Sequence, residues 1–319
     1  MNKPIKSYKA FDENMRCRGF QYEVGKEYDM NGDIQCCKRG FHACESPMEV
    51  WDYYDMLTSR FAEVEQSGKI STEADSTKIC SSHIKIKAEL KLADIINIGV
   101  EWLKDLTAPS KVKADGAELN DNGVRGAKIG SSGDSAKIGS SGDSAKIGSS
   151  GNAAQIGSSG YAAKIGSSGY YAKIGSSGNA AQIGSSGYAA KIGSSGYAAQ
   201  IGSSGDYAKI GSSGDSAKIG SSGDSAKIGS SGYYAKIGSS GGSAQIDSTG
   251  EDSVIMCAGE GSVAKAKIGS WITLAEWKRD DRKGRWVPVC VKTERVDGIK
   301  IKPDTWYKLQ DGEFVEVTK

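Results

Sequence analysis

The chain has 319 residues, with 41 basic against 39 acidic side chains and a formal net charge of +2. That balance argues against a nucleic-acid-binding polycation and against a polyanionic mimic. Forty-three glycines against five prolines would suit a flexible linker, but a linker has no reason to place an isoleucine every nine residues.

Residues 1–108 have ordinary complexity and predict an α+β domain. Short alternating stretches at Gly19–Val24 and Phe61–Glu65 predict strands. Ser46 followed by Pro47 predicts the start of a helix running to Tyr54, and the amphipathic stretch from Lys85 to Leu106 predicts a second. The pairs Lys69-Ile70 and Lys78-Ile79 stand nine residues apart and suggest a degenerate rung of the repeat that follows.

Residues 109–268 carry the repeat. Fifteen isoleucines from Ile129 to Ile255 fall at a constant spacing of nine. Alanine stands two positions before each of the first fourteen, with Lys or Gln between, which is a strand of period two with Ala and Ile inward. The Gly-Ser-Ser-Gly that follows is expected to turn the chain where the backbone angles demand glycine. A lone nonamer buries almost nothing, so the units must stack. The expected fold is mainly β: a central β-solenoid of nine-residue repeats, capped by the N-terminal α+β domain and by a small C-terminal β domain. Two nonamers per coil make the simplest closure, in a rod roughly 35 Å long; three per coil, as a triangular prism, is the alternative. Calcium-binding rolls also use nonamers, but the turn carboxylates here are too sporadic to line a chain of calcium sites.

Residues 269–319 change character. Trp271, Ile272, Leu274, Trp277, Trp286, Val287, Val289 and Val291 predict alternating strands, and Asp297-Gly298 and Asp311-Gly312 predict hairpin turns. Such a domain would cover the strand edge that an uncapped solenoid exposes.

Chemistry is sparse. Seven cysteines in odd number and irregular spacing predict free thiols in a reducing compartment. The sequence has no apolar run of eighteen residues and no apolar leader near Met1, which predicts a cytosolic product with no membrane role. Cys36, Cys37, His42 and Cys44 lack zinc-knuckle spacing, so no metal and no cofactor is expected. Glu63 and Glu65 form a Glu-x-Glu strand pattern. That pattern is similar to arginine-specific ADP-ribosyltransferases, with Tyr8, Lys9, Gly40, Phe41 and His42 available for the other roles. This gives an enzymatic alternative with nicotinamide cofactor binding, against a plain solvated strand face. Within the repeat the two positions after each turn glycine vary. They bring tyrosines at Tyr161, Tyr170, Tyr171, Tyr188, Tyr197, Tyr207, Tyr233 and Tyr234, an expected contact surface whose bland alternative is mutual stacking. In a two-nonamer coil Tyr161, Tyr197 and Tyr233 share one side, and Tyr170, Tyr188 and Tyr207 the other. Lysine rows at Lys128, Lys137, Lys146, Lys164, Lys173 and Lys191 suggest nucleic acid. The surplus over residues 126–250 is only ten lysines against six aspartates, which argues against a phosphate groove.

The flanks carry a resemblance. "SYKAFDENMRCRGFQYEVGKEY", "CKRGFHACESPMEVWDYY" and "RFAEVEQSG" resemble the N-terminal domain of an uncharacterised group of bacteriophage and prophage proteins, and "IKPDTWYKLQDGEFVEV" resembles their C-terminal part. The resemblance implies action in the cytoplasm of an infected cell or in a virion, and brings no catalytic residue. The reading that follows is a non-enzymatic binding protein that engages or sequesters a host component, plausibly a defence protein, with self-association left open. A virion fibre or spike adhesin is the alternative of the same class.

Overall fold

A computed structural model describes residues 3–73, 76–106, 118–120 and 123–318. The boundary expected at 108/109 lies outside the described residues. The chain divides into two compact units, Met1–Trp102 and Leu103–Lys319.

In the first unit, strand β1 (Ile5–Phe11) lies antiparallel to β6 (Arg60–Thr72) along its whole length and touches β5 (Phe41–Cys44) at Tyr8–Cys44. Strand β7 (Lys78–Leu90) pairs with β5, with β4 (Glu27–Asp29) and with β6, so β1, β5, β7 and β6 close into a ring. Phe11, Phe41, Val64, Ile84 and Ile86 fill its apolar interior. Gln66 ties the strands together inside: it accepts from Ser7 at 2.7 Å and donates to the Phe41 carbonyl at 2.8 Å. A two-residue hairpin joins β2 (Arg16–Cys17) to β3 (Phe20–Gln21), with Arg18 and Gly19 both left-handed as a type I′ turn requires. Helix α1 (Leu92–Leu106) buries Ile95, Ile96 and Val100.

Four expectations for this unit are corrected. Only Phe20–Gln21 of the stretch at 19–24 is a strand. The helix after Ser46 is a 3₁₀ helix, Pro47–Asp52, started by Pro47 without a side-chain cap from Ser46. Lys85–Leu90 belongs to β7, because Ile84 and Ile86 alternate inward with period two; the α-helix begins only at Leu92. The echo of the repeat is also absent here: Ile70 faces Ser81 and Thr72 faces Ile79 across an antiparallel pair, so these residues form no solenoid rung.

The second unit is a β-solenoid. After β8 (Glu118–Asn120), sixteen four-residue strands begin every nine residues, from β9 (Lys128–Ser131) to β24 (Val263–Ala266). From β9 to the strand starting at Gln245, each pairs in parallel with the strand eighteen residues on, in strict register: Ile147 on Ile165, Ile156 on Ile174. Two nonamers therefore make one coil, the odd and even rungs forming two sheets and eight coils. Backbone bonds such as Lys146 N–H to the Ala127 carbonyl and Ser150 N–H to the Ser131 carbonyl lock each coil to the last.

The local structure differs from the expected Ala-x-Ile strand. The strand is Lys/Gln-Ile-Gly-Ser, and the first serine of each repeat continues the alternation inward. Serines such as Ser158, Ser176 and Ser194 are fully buried beside Ala and Ile, with no hydrogen-bond partner for their hydroxyls. Backbone angles do not demand the turn glycine. The left-handed residue is the second variable position, with φ between 53° and 58° from Ser135 to Asp252, none of them glycine; only Gly126 and Gly261, before the first and last of the sixteen strands, are glycine there. The turn glycine is required by close approach: a Cβ at Gly187 would stand 1.9 Å from the Gly169 carbonyl oxygen one coil earlier. A left-handed L-residue costs roughly 1–2 kcal/mol, whereas a 1.9 Å overlap with backbone forces the coils themselves to shift.

The C-terminal segment covers both sheets at one end. Strand β25 (Trp271–Asp280) adds in parallel to the odd sheet, with Ile272 on Ile255, and then pairs antiparallel with β26 (Arg285–Arg295). The hairpin of β27 (Tyr307–Gln310) and β28 (Glu313–Glu316) lies antiparallel on β24. Asp311-Gly312 is its turn. Asp297-Gly298 is no hairpin turn, since β26 and β27 belong to different sheets; there Asp297 accepts the Ile299 and Lys300 N–H groups.

Candidate functional site

The solenoid's two edges carry the variable positions. Where the first of these is Asp or Asn, its side chain accepts the backbone N–H eighteen residues on: Asp134 from Asn152 at 2.7 Å, Asn179 from Tyr197 at 2.9 Å, Asp215 from Tyr233 at 2.9 Å. These side-chain oxygens stitch coil to coil, which is a structural use of the turn Asp and Asn residues. A tyrosine at the same position cannot accept such a bond and projects outward instead.

The tyrosines divide as the two-nonamer coil requires. One edge holds Tyr161, Tyr197, Tyr233 and Tyr234, of which only the neighbours Tyr233 and Tyr234 show a ring contact, at 6.4 Å. The other edge holds a contiguous pad centred on Tyr188, whose ring lies 6.3 Å from Tyr170, 6.0 Å from Tyr171 and 5.2 Å from Tyr207. Stacking does not bury them: Tyr170 is 58% exposed and even the central Tyr188 is 40% exposed. Desolvation first, then Tyr207, Tyr171 and Asp206, hold the Tyr188 hydroxyl above its ordinary pKa. Tyr171 and Tyr207 occupy the left-handed position, where most repeats have Ser or Ala.

The lysine rows split between the sheets. Lys128, Lys146 and Lys164 stack in register on the odd sheet, and Lys137, Lys173 and Lys191 lie on the even one, with Gln155 intervening.

In the first unit, Glu63 and Glu65 point away from the ring's interior, since Ala62, Val64 and Gln66 take the inward positions of β6. Glu63 pairs with Lys6 at 2.8 Å and Glu65 with Lys87 at 3.1 Å. Neither lines the cavity formed by the other candidates. Tyr8, Lys9, Gly40, Phe41 and His42, by contrast, do come together around a cavity of about 320 Å³. Its walls also include Cys17, Arg18, Phe20, Tyr22, Tyr53, Tyr54 and Lys78, from β1, the β2–β3 hairpin, β5, the end of the 3₁₀ helix and β7. Lys9 is buried, donating to the His42 carbonyl at 2.8 Å and reaching the Cys17 sulfur at 3.5 Å. Burial lowers its pKa. His42 is pushed down to about 4, by burial first and then by Lys9, Arg18 and Lys78; its Nε2 accepts the Cys37 N–H at 2.9 Å. Cys17 and Tyr54 share a contact of 2.7 Å, and burial raises the Tyr54 hydroxyl.

All seven cysteines are free. Cys36 and Cys37 meet Glu73, not His42 and Cys44, with their ligand-type atoms within 4.8 Å of one another. Among the described residues no helix is long and apolar enough to cross a membrane.

Residues 5–98 match a family described as a domain of unknown function (DUF7666). The chain is similar to that family over this stretch, which holds the ring, the cavity and the start of α1. No curated protein and no solved structure matches the chain.

The sequence named five of the cavity's residues, Tyr8, Lys9, Gly40, Phe41 and His42, only as partners of the Glu-x-Glu pair; the cavity itself and its other walls were missed. Its one local signal is Lys9, set in β1 where Ser7, Tyr8, Ala10 and Phe11 are all buried and no polar–apolar alternation leaves a place for a solvated amine.

Proposed function

We propose that the protein is a non-enzymatic binding protein whose solenoid displays a tyrosine pad to a folded protein partner. The observation that carries this reading is the clustering of Tyr170, Tyr171 and Tyr207, each in ring contact with Tyr188, all four being 40–58% exposed. Tyrosine offers a large amphipathic area for little entropy, and such anchors dominate protein interfaces. The backbone beneath is rigid, since each coil is bonded to the next, so the pad is preorganised. The flanking acids Asp206 and Asp224 suit a partner with basic groups at its rim. The resemblance to bacteriophage and prophage proteins makes a component of the infected cell, acting in its cytoplasm, the partner to seek.

The test compares two sets of substitutions. Y188S/Y207S removes the pad's centre, and Y161S/Y197S alters two rings of the opposite edge that make no ring contact. A partner captured by the wild-type protein, purified, and rebound by it should lose at least tenfold in affinity for Y188S/Y207S while binding Y161S/Y197S normally. Equal binding by both variants, with melting temperatures unchanged, would remove the pad as the site.

A further inference from the structure

The cavity in the first unit has features that a packing defect would not have. Interiors hold few voids larger than a water molecule, and about 320 Å³ is the small end of the range for ligand pockets. Its lining residues include five cations, Lys9, Arg18, Lys38, Arg39 and Lys78, and no carboxylate. Lys78 is paired with Glu73 at 2.9 Å, and Arg39 donates to the Asn31 carbonyl. Lys9 has no carboxylate: at 4% exposure its ammonium meets one carbonyl, one thiol and the faces of Phe11 and Tyr22 at about 5.5 Å. A buried ammonium so poorly compensated is costly, and an anion beside it would supply the missing charge. His42 is depressed by burial first, and the positive charges of Lys9, Arg18 and Lys78 add to that.

The walls add a second requirement. Phe20 and Tyr53 both line the cavity, and each is nearly half exposed. Lys78 already lies over the Tyr53 ring at 4.5 Å. Two partly free aromatic faces beside a row of cations recognise a flat ring joined to an anionic group.

We propose that this cavity binds a nucleoside monophosphate, its phosphate facing Lys9 and Arg18 and its base held against Phe20 or Tyr53. The cationic lining selects the phosphate. The absence of carboxylates among the lining residues disfavours cationic ligands. The volume limits the ligand to about one nucleotide. This binding is separate from the tyrosine pad and stands without it.

Calorimetric titration of the full-length protein with AMP, GMP, CMP and UMP tests the proposal, with the matching nucleosides and inorganic phosphate as comparisons. At least one monophosphate should bind saturably at one site, at least tenfold tighter than its nucleoside and than phosphate alone. Lys9→Met keeps the side chain's length and removes the charge, and should weaken binding at least tenfold. Arg18→Gln changes an exposed residue, so it decides the matter if the Lys9 variant fails to fold; it should weaken binding severalfold. Phe20→Ser should weaken the nucleotide but not phosphate. No binding by any of the four at about 1 mM would overturn the proposal. So would inorganic phosphate binding as tightly as the nucleotide, or unchanged affinity in Arg18→Gln.

Discussion

A Cβ placed on Gly187 would lie 1.9 Å from the carbonyl oxygen of Gly169, the equivalent residue one coil earlier. The same overlap recurs at every ninth residue from Gly151 to Gly259, between 1.9 and 2.2 Å. Three positions within one nonamer should therefore respond differently to alanine and glycine. Gly187→Ala should cost about 3 kcal/mol or more, because the backbone beneath it cannot yield. Gly184→Ala should be neutral or stabilising by about 0.5–1 kcal/mol, since nothing stands within 4 Å of its Cβ and a strand glycine pays extra entropy. Ala189→Gly, at φ 53°, trades relief of the left-handed conformation against glycine entropy and should stay within about 1 kcal/mol of wild type. Chemical denaturation of the three variants checks the order; an undisturbed Gly187→Ala would mean the coils are not in this register.

The isoleucine ladder should be the least tolerant row. Ile183 is 3% exposed and stacks on Ile165 and Ile201. Ile183→Asp places an unpaired carboxylate in that core at a cost of several kcal/mol, on the order of what buried charges incur. Circular dichroism should show a large fall in melting temperature. Unchanged sheet content and melting would contradict a solenoid altogether.

Much of this unit was legible because its physics is one-dimensional. A constant spacing of nine and an inward Ile determine stacking, but the choice of two nonamers per coil over three is decided only by the eighteen-residue pairing, as in Ile147 on Ile165. The inward serine was not legible, since residue polarity suggested solvent where strand geometry put Ser194 in the core. The glycine's reason was misread for a similar cause: sequence shows that glycine is used, not whether φ or a neighbouring coil demands it. In the first unit, Glu63 and Glu65 read as a pair because they are near in sequence. The cavity could not be read, because Lys9, Phe20, His42, Tyr53 and Lys78 are brought together only by the closing of the ring.

The serine row yields a prediction opposite in sign to ordinary polar loss. Ser194 is fully buried, and its hydroxyl has no hydrogen-bond partner. Burying a hydroxyl unpaired costs roughly 1–3 kcal/mol. Ser194→Ala removes that cost and leaves the backbone unaltered, so melting temperature should hold or rise. A loss of more than about 1 kcal/mol would show that the hydroxyl has a partner in solution.

His42 gives the pH dependence its sign. Its pKa is lowered from 6.5 to about 4 in the folded chain, by burial first and then by the positive charges of Lys9, Arg18 and Lys78. Between those values the unfolded chain holds a proton that the folded chain refuses. Stability from this group is therefore complete above pH 6.5 and is lost as pH falls toward 4. Carboxylates titrate over part of the same range, so wild type alone cannot isolate the effect. His42→Gln keeps an acceptor within reach of the Cys37 N–H, which now meets Nε2 at 2.9 Å, and cannot take up a proton. Urea unfolding of both proteins at pH 7, 6, 5 and 4.5, followed by a probe in the first unit, should show the wild type's advantage over the variant shrinking steadily as pH falls. An advantage that stays constant with pH would mean that His42 protonates as readily in the folded protein as in the unfolded one.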